Sequence, residues 1–124
     1  MKVILTGGLP NPGQPFSWGV KSRGIVYTTH GPVLPDGSIL RASIEEQAAL
    51  TIRNLQAVLE EAGGSLANVM QVQIFLLDVA DMAPVDAVYS RYFKAPFPNR
   101  ASLVVAGLVA PGMRVEMMVT ADLN

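Results

Sequence analysis

A long amphipathic helix followed at once by an alternating strand is the feature that most constrains this fold. The segment 43–64, SIEEQAALTIRNLQAVLEEAGG, opens with Ser43 and Glu46 at the spacing of a capping box and ends at paired glycines. Apolar residues recur along it at helical spacing, so one face of the helix should be buried. The next segment, NVMQVQIFLLD, alternates with period two, which predicts a strand. We expect its buried face to carry Met70, Val72, Ile74 and Leu76.

The remaining segments complete the order β-β-β-α-β-α-β-β. KVIL and two short runs on either side of the turn KSRG predict three strands, and the segment after Asp81 predicts a second helix. ASLVVAGLV and RVEMMVTADL predict the last two strands. The first of these is apolar at consecutive positions, which is typical of a strand covered on both sides. We predict one α+β domain over residues 1–124, with a mixed sheet and two helices on one face.

The chain is poor in charge, with 15% charged and 50% hydrophobic residues. A domain of this size buries only about two thirds of its unfolded surface, so we expect part of the apolar surface to lie in a subunit interface. The net charge of -1, without a basic run, argues against nucleic-acid binding. No apolar run approaches a membrane span and no signal peptide is recognisable, so we predict a soluble cytoplasmic protein.

Cysteine chemistry is excluded and a metal site is disfavoured. The chain has no cysteine, which removes disulfides, thiolate ligands and cysteine nucleophiles, and it has one histidine, too few for an ordinary zinc site. No phosphate-binding loop, dinucleotide fingerprint or nucleophile elbow occurs. Catalysis, if present, must use other side chains.

Two charges stand inside the most hydrophobic third of the chain. Arg100 precedes the apolar run ASLVV and can be either a rim arginine paired with a surface acid or a fork that grips a carboxylate. Glu116, within RVEMMV, can be either a solvent-facing glutamate or a half-buried acid with a raised pKa, suited to moving protons. Composition alone leaves both alternatives open.

One histidine and two aromatic residues complete the set of candidates. His30 ends the predicted strand IVYTTH and is either an ordinary surface or core residue or a group that titrates near neutral pH in a site. Phe16 and Trp18 can line a pocket or belong to the core or an interface.

Several segments together resemble the Rid family, the reactive intermediate deaminases or YjgF-like proteins. PFSWGV is similar to the family's P-Y-S-Q-A segment, and the helix–strand–helix region contains the Q-x6-N pair Gln47 and Asn54 and the D-x-x-D turn Asp78 and Asp81. FPNRASLVVAGL with the later VEM resembles the closing signature P-x-R-[ST] and V-E-[IM], the most specific element. The similarity covers residues 3–121, almost the whole chain.

The resemblance implies a chorismate-mutase-like (YjgF-like) fold and a homotrimer with active sites in clefts between subunits. Arg100 would then grip the carboxylate of a 2-imino or enamine acid, and Glu116 would activate the water that releases ammonia. No metal or organic cofactor is implied, and the expected partners are other copies of the chain and a small carboxylate substrate. We assign Glu116 and His30 to catalysis and the following residues to substrate binding: Arg100, Phe16, Gly31, Ser102, Phe75 and Trp18.

The chain departs from the family pattern around the expected cleft. Phe16 stands where tyrosine is usual, Thr29-His30-Gly31 replaces S-G-Q, and Asp86 replaces an asparagine. We therefore predict that the His30 side chain projects into the cleft near Arg100. The leading hypothesis is a hydrolytic deaminase of an imine, enamine or aminomuconate-like acid. The alternatives are another hydrolysis or a tautomerisation that uses His30, and a non-catalytic trimer that binds small acids.

Overall fold

The computed structural model describes all residues from 1 to 124, and the predicted element order is confirmed. Two helices and six strands are present: β1 Val3–Leu5, β2 Gly19–Ser22, β3 Ile25–His30, α1 Ile44–Ala62, β4 Val69–Leu76, α2 Met82–Tyr92, β5 Asn99–Val104 and β6 Val115–Asp122. Short 3-10 turns at Leu66–Asn68 and Val79–Asp81 precede β4 and α2. The strands form one sheet in the order β1-β2-β3-β6-β4-β5. Only β4 and β5 are parallel, so the sheet is mixed, as predicted.

Local sequence signals set both ends of α1. The Ser43 hydroxyl accepts a bond from the Glu46 amide at 3.2 Å, and the Glu46 carboxylate accepts one from the Ser43 amide at 3.3 Å. Gly63 ends the helix in the left-handed region at φ 96°, which a residue with a Cβ adopts only at a cost. The capping box and the glycine cap are therefore confirmed. No helix of the chain combines the length and apolarity that crossing a bilayer requires.

The core lies between the two helices and one face of the sheet. It is a cluster of 21 buried residues to which both helices and the central strands contribute. Leu55 and Leu59 of α1, Val85 of α2, and Val72 and Met117 of the sheet are fully shielded from solvent. Both helices therefore cover the same face, as predicted, and the opposite face is left open.

The predicted burial of β4 is correct at three positions and wrong at Met70. Val72, Ile74 and Leu76 face the helices, but Met70 is 59% exposed. The pairing of β4 with β6 shifts between Val69 and Gln71, which is a β-bulge. The extra residue of a bulge stands outside the alternation, so Met70 loses the inward direction that its position predicts.

The prediction that β5 is covered on both sides is wrong for the single chain. The strand lies at the edge of the sheet and all of its six residues are exposed. The open sheet face carries further exposed apolar side chains, namely Ile4, Tyr27, Leu103 and Met118. The single chain therefore exposes apolar surface, and the burial of that surface in a subunit interface stays a prediction.

Candidate active site

A pocket of about 550 Å³ opens beside the end of β3. Its walls come from the loop before β2 at 10–18, the segment 29–39, and the segment 109–116 that leads into β6. Four of the predicted site residues line it together: Phe16, Trp18, Gly31 and Glu116. Residues far apart in sequence are therefore brought into one cavity.

The aromatic wall of the pocket is held by a local hydrogen bond. The loop before β2 contains three prolines and begins at Pro10, whose carbonyl accepts a bond from the indole nitrogen of Trp18 at 2.8 Å. Phe16 meets the Trp18 ring edge to face, with ring centroids 5.2 Å apart. The indole bond and the low flexibility of the prolines fix an otherwise irregular loop.

Two polar side chains of α1 hold the other walls. Gln47 is buried and uses both ends of its amide: its nitrogen donates to the carbonyls of Leu40 and Gly112, each at 2.9 Å, and its oxygen accepts from the Arg114 amide at 2.9 Å. It thereby ties the segment after β3 to the segment before β6. Asn54 is the second of these side chains.

The Asn54 side chain donates to the carbonyls of Gly31 and Val33, at 3.1 and 2.9 Å. Gln47 and Asn54 are seven residues apart and so lie on one face of the helix. The Q-x6-N pair, which carried part of the family resemblance, thus has a physical role in shaping the pocket.

Gly31 is required by close packing at the pocket floor. A Cβ built on Gly31 would lie 2.4 Å from the Met113 sulfur, closer than two such atoms can approach. Met113 is buried and lines the same pocket. Met113 was not among the predicted site residues, because a methionine in a Pro-Gly loop carries no signal of a packing partner 82 residues earlier in the chain.

Glu116 is the only ionisable side chain that lines the pocket. It lies on the open face of β6, between the inward-facing Val115 and Met117, and pairs in register with Phe75 on β4. Burial raises the pKa of the Glu116 carboxyl above its ordinary value, since no cation or hydrogen-bond donor of the chain contacts it to favour the charged form. Such a carboxyl can hold or release a proton nearer neutral pH than an exposed glutamate.

The prediction that His30 projects into the cleft near Arg100 is wrong. His30 shares the inward direction of Val26 and Thr28 on β3 and is 1% exposed, under the helices and outside the pocket lining. Burial lowers the pKa of His30 to about 4, so the ring is neutral at physiological pH. The alternation of β3 places the His30 side chain on the helix side of the sheet. Because Thr28, the preceding inward-facing residue, is polar, the sequence has no apolar pattern that predicts this direction.

The hydrogen bonds of His30 define its tautomer. Thr28 Oγ1 donates its single proton to the Trp18 carbonyl at 2.7 Å, so the His30 Nε2, 2.7 Å from the same oxygen, must be the donor in that pair. The His30 Nδ1 is then an acceptor, and it is buried without a partner. The arrangement is that of a core histidine.

Arg100 lies on the other side of the sheet from Glu116. It is the second residue of β5 and pairs with Val72, whose side chain faces the helices. Its Nη1 contacts Asp86 Oδ1 on α2 at 2.6 Å, and the guanidinium lies over the Tyr89 ring at 4.9 Å from the centroid. Within one chain the predicted anchor and the predicted acid are therefore not brought together.

The surroundings of Arg100 form a second, smaller cavity of about 260 Å³, lined by Asp86, Tyr89, Ser90, Phe97, Pro98 and Arg100. Arg100 Nη1 is the only one of its nitrogens with a hydrogen bond, so the edge formed by Nε and Nη2 stays free. Ser102 points to the same side of β5, two residues further on. A carboxylate can bind side-on to that free edge.

No group of three or more His, Cys, Asp or Glu side chains converges to hold a metal ion. The ionisable groups near the two cavities occur singly or as the Arg100–Asp86 pair. The chemistry that the arrangement supports directly is carboxylate binding by a guanidinium and proton transfer by a desolvated carboxyl.

Comparisons with known proteins agree with this architecture. A family profile described as Endoribonuclease L-PSP matches residues 7–123. The chain is 35% identical over 119 residues to Protein mmf2, mitochondrial, of Schizosaccharomyces pombe, covering 94% of both chains. It is 29% identical over 109 residues to Reactive Intermediate Deaminase A, chloroplastic, of Arabidopsis thaliana, covering 86% of this chain and 58% of that protein. The crystal structure of E. coli TdcF with bound serine matches with a TM-score of 0.89 at 29% identity, over 98% and 99% of the two chains.

Proposed function

This chain belongs to the Rid family, also called the YjgF or L-PSP family, and from that membership we propose that it is a hydrolytic deaminase of imine or enamine carboxylic acids. The observation that carries the proposal is Glu116, an unpaired, half-buried carboxyl that is the only ionisable group in a pocket of about 550 Å³. A relative of the same family bears the name Reactive Intermediate Deaminase A. The cytoplasmic location stays a prediction.

The proposed active site needs a second copy of the chain. Arg100 and Glu116 lie on opposite sides of the sheet, so an anchor and an acid acting on one ligand must come from different subunits. The open face and the β5 edge expose Tyr27, Leu103 and Met118, which gives such an interface apolar surface to bury. We propose a homotrimer with closed threefold symmetry, in which each Arg100 faces the pocket of its neighbour.

In the proposed reaction, Arg100 binds the substrate carboxylate through its free Nε–Nη2 edge. Glu116 accepts a proton from water as the water oxygen bonds to the imine carbon, and returns the proton to the imine nitrogen. The resulting carbinolamine loses its amine as ammonia while the hydroxyl becomes the carbonyl of a 2-keto acid. The overall balance is imine plus water to ketone plus ammonia, with no oxidation or reduction.

Binding without turnover is the second candidate. The TdcF structure holds serine, which shows that a related chain binds a molecule with an amino-acid carboxylate. The alternative reaction with His30 as a catalytic group has no comparable support, because the ring is buried on the far side of the sheet. RNA as a substrate has little support either, since nine basic and ten acidic residues leave no positive excess.

The proposal is tested by generating imines from amino acids with an amino-acid oxidase and following their loss with and without the purified chain. We expect faster loss with the wild type and at least a hundredfold lower rate with Glu116→Gln, which keeps the size of the side chain. The matched control is Glu60→Gln, at an exposed position of α1. Imine decay unaffected by the wild type, together with tight keto-acid binding, would favour the binding protein instead.

A further inference from the structure

The pocket that contains Glu116 has no cation in its lining. Of the residues that form it, none is Lys, Arg or His, and the one charged group is the Glu116 carboxyl itself. A carboxylate placed inside would be desolvated beside a like charge, with no partner to offset either cost. The charged end of a substrate acid therefore has to stay outside the pocket, where an arginine from another copy can reach it.

We propose that the pocket takes the side chain of the substrate, and that this side chain is large, uncharged and mostly apolar, with an aromatic ring as the best fit. The inference rests on the proposed deaminase function and goes beyond it by naming the class of imine: those derived from bulky apolar or aromatic 2-amino acids. Imines with acidic side chains, and those with a methyl or hydroxymethyl group, are the poor substrates.

The size of the pocket supports this assignment. A volume of about 550 Å³ lies within the range of cavities that enclose drug-sized ligands, so a side chain of one or two carbons would leave most of it to water. Filling it with apolar atoms releases that water and removes apolar surface from solvent, which favours binding.

The walls have the matching chemistry. The Phe16–Trp18 edge-to-face pair forms one side, and Ile39, Pro111 and Met113 are among the apolar residues of the others. Aromatic rings prefer edge-to-face and offset contacts of this kind, and the methionine sulfur makes a favourable contact with a ring edge. Phe16 has no hydroxyl, so this wall offers no hydrogen bond that would favour a polar side chain.

The first experiment compares imines that differ only in the side chain, generated from alanine, leucine, phenylalanine and aspartate by oxidases that accept them. We expect kcat/KM for the phenylalanine-derived imine to exceed that for the alanine-derived imine by at least tenfold and that for the aspartate-derived imine by at least a hundredfold. The same ranking should appear in the binding of phenylpyruvate, pyruvate and oxaloacetate measured by calorimetry.

Different results would overturn the side-chain assignment and the deaminase function. Hydrolysis of all four imines at similar rates would overturn the side-chain assignment and leave the deaminase function intact. Absence of hydrolysis, with the keto acids still binding in the expected order, would overturn the deaminase function and leave the assignment of the pocket intact. Preferential binding of oxaloacetate would overturn the assignment whatever the activity.

A charge introduced into the lining gives a gain-of-function test. Gln14 is exposed on the pocket rim, so Gln14→Arg can fold normally while supplying the missing cation. We expect this variant to bind oxaloacetate at least tenfold more tightly than the wild type does, with phenylpyruvate affinity unchanged or reduced. Gln56→Arg, on α1 outside the pocket, is the matched control and should bind as the wild type does. Equal effects of the two substitutions would show that the net charge of the chain, and not the lining of the pocket, determines the affinity for oxaloacetate.

Discussion

Strands β6 and β5 are both rich in apolar residues and have opposite environments. β6 lies between β3 and β4, and its alternate residues Val115, Met117, Val119 and Ala121 are buried under the helices. β5 pairs on one side only, and all six of its residues are exposed. The difference shows that the neighbours of a strand, more than its own composition, decide what it buries. An edge strand with free backbone groups is also the part of a sheet most ready to associate.

The two candidate site residues differ in the same way, because Glu116 lies on β6 and Arg100 lies on β5. Glu116 on β6 is half-buried by its own chain, which raises the pKa of its carboxyl. Arg100 on β5 lies at the surface, is held by Asp86 and Tyr89, and keeps one edge of its guanidinium free. A single chain thus encloses the proposed acid, Glu116, in a pocket but leaves the proposed anchor, Arg100, at the surface. The predictions that follow test this division between the two strands, in order of decreasing effect.

Matched truncations in the two strands should separate folding from association. Met117→Ala removes a fully buried side chain of β6 and should lower the free energy of unfolding by about 2–5 kcal/mol. Leu103→Ala, at a position 42% exposed on β5, should change it by less than about 0.5 kcal/mol and instead weaken the proposed trimer. Urea denaturation at several protein concentrations, with light scattering, distinguishes the two effects. Equal losses of unfolding free energy would show that β5 is as much a part of the core as β6.

Acid should destabilise the helix-covered face through His30, which pairs in register with Met117. Its pKa is about 4 in the folded chain against 6.5 as an exposed group, so the neutral form is the one that the fold accepts. The contribution of the neutral His30 ring to the free energy of unfolding is fully present above pH 6.5 and is lost as the pH falls towards 4, by about 3 kcal/mol in total. The measurement is unfolding free energy against pH for wild type and His30→Gln. The variant lacks the titrating ring, so an identical slope in both would contradict the prediction.

Replacement of Arg100, the proposed carboxylate anchor, should affect binding and leave the fold intact. Arg100→Ala should weaken the binding of 2-keto acids about tenfold to hundredfold, the equivalent of the roughly 1.5–3 kcal/mol expected for a charge-assisted hydrogen bond. Arg100→Lys should lower the affinity for 2-keto acids similarly, because an ammonium does not reproduce the planar fork of the guanidinium. Calorimetry gives the affinities and light scattering checks the assembly. Arg91→Ala, exposed on α2, is the control, and a loss of affinity equal to that of Arg100→Ala would point to an effect of net charge.

The smallest effect is expected at Asp86. Asp86→Asn keeps an acceptor for Arg100 but removes a negative charge that competes with the ligand carboxylate. Exposed ion pairs contribute at most about 1 kcal/mol, so the affinity for 2-keto acids should rise by no more than about fivefold. Calorimetry at low and high salt measures the change, which salt should diminish. Weaker binding in the variant would mean that Asp86 acts mainly by holding the Arg100 guanidinium in position, and that this effect outweighs the removal of its competing charge.

Much of the fold follows from local signals. The cap at Ser43, the left-handed Gly63 and the alternation of β4 act over a few residues, so the chain shows them without its tertiary context. The strand–helix–strand order around α2 is also typical of a parallel pair, and β4 and β5 are parallel. Trp18 and Glu116 were recognised as site candidates from residue type and family resemblance, and the structure places both in one pocket.

The sequence by itself determined the helices, the strands, the low charge and the family, because each depends on residue type and short-range periodicity. Tertiary structure alone decided which face of the sheet each polar residue occupies. His30 faces the helices because it lies an even number of residues from the inward-facing Val26 on β3. Arg100 pairs with the inward-facing Val72 of β4, whereas Glu116 pairs with Phe75 on the open face, so the two side chains lie on opposite sides of the sheet. One step along a strand reverses the direction of a side chain, and only the register with neighbouring strands settles that step.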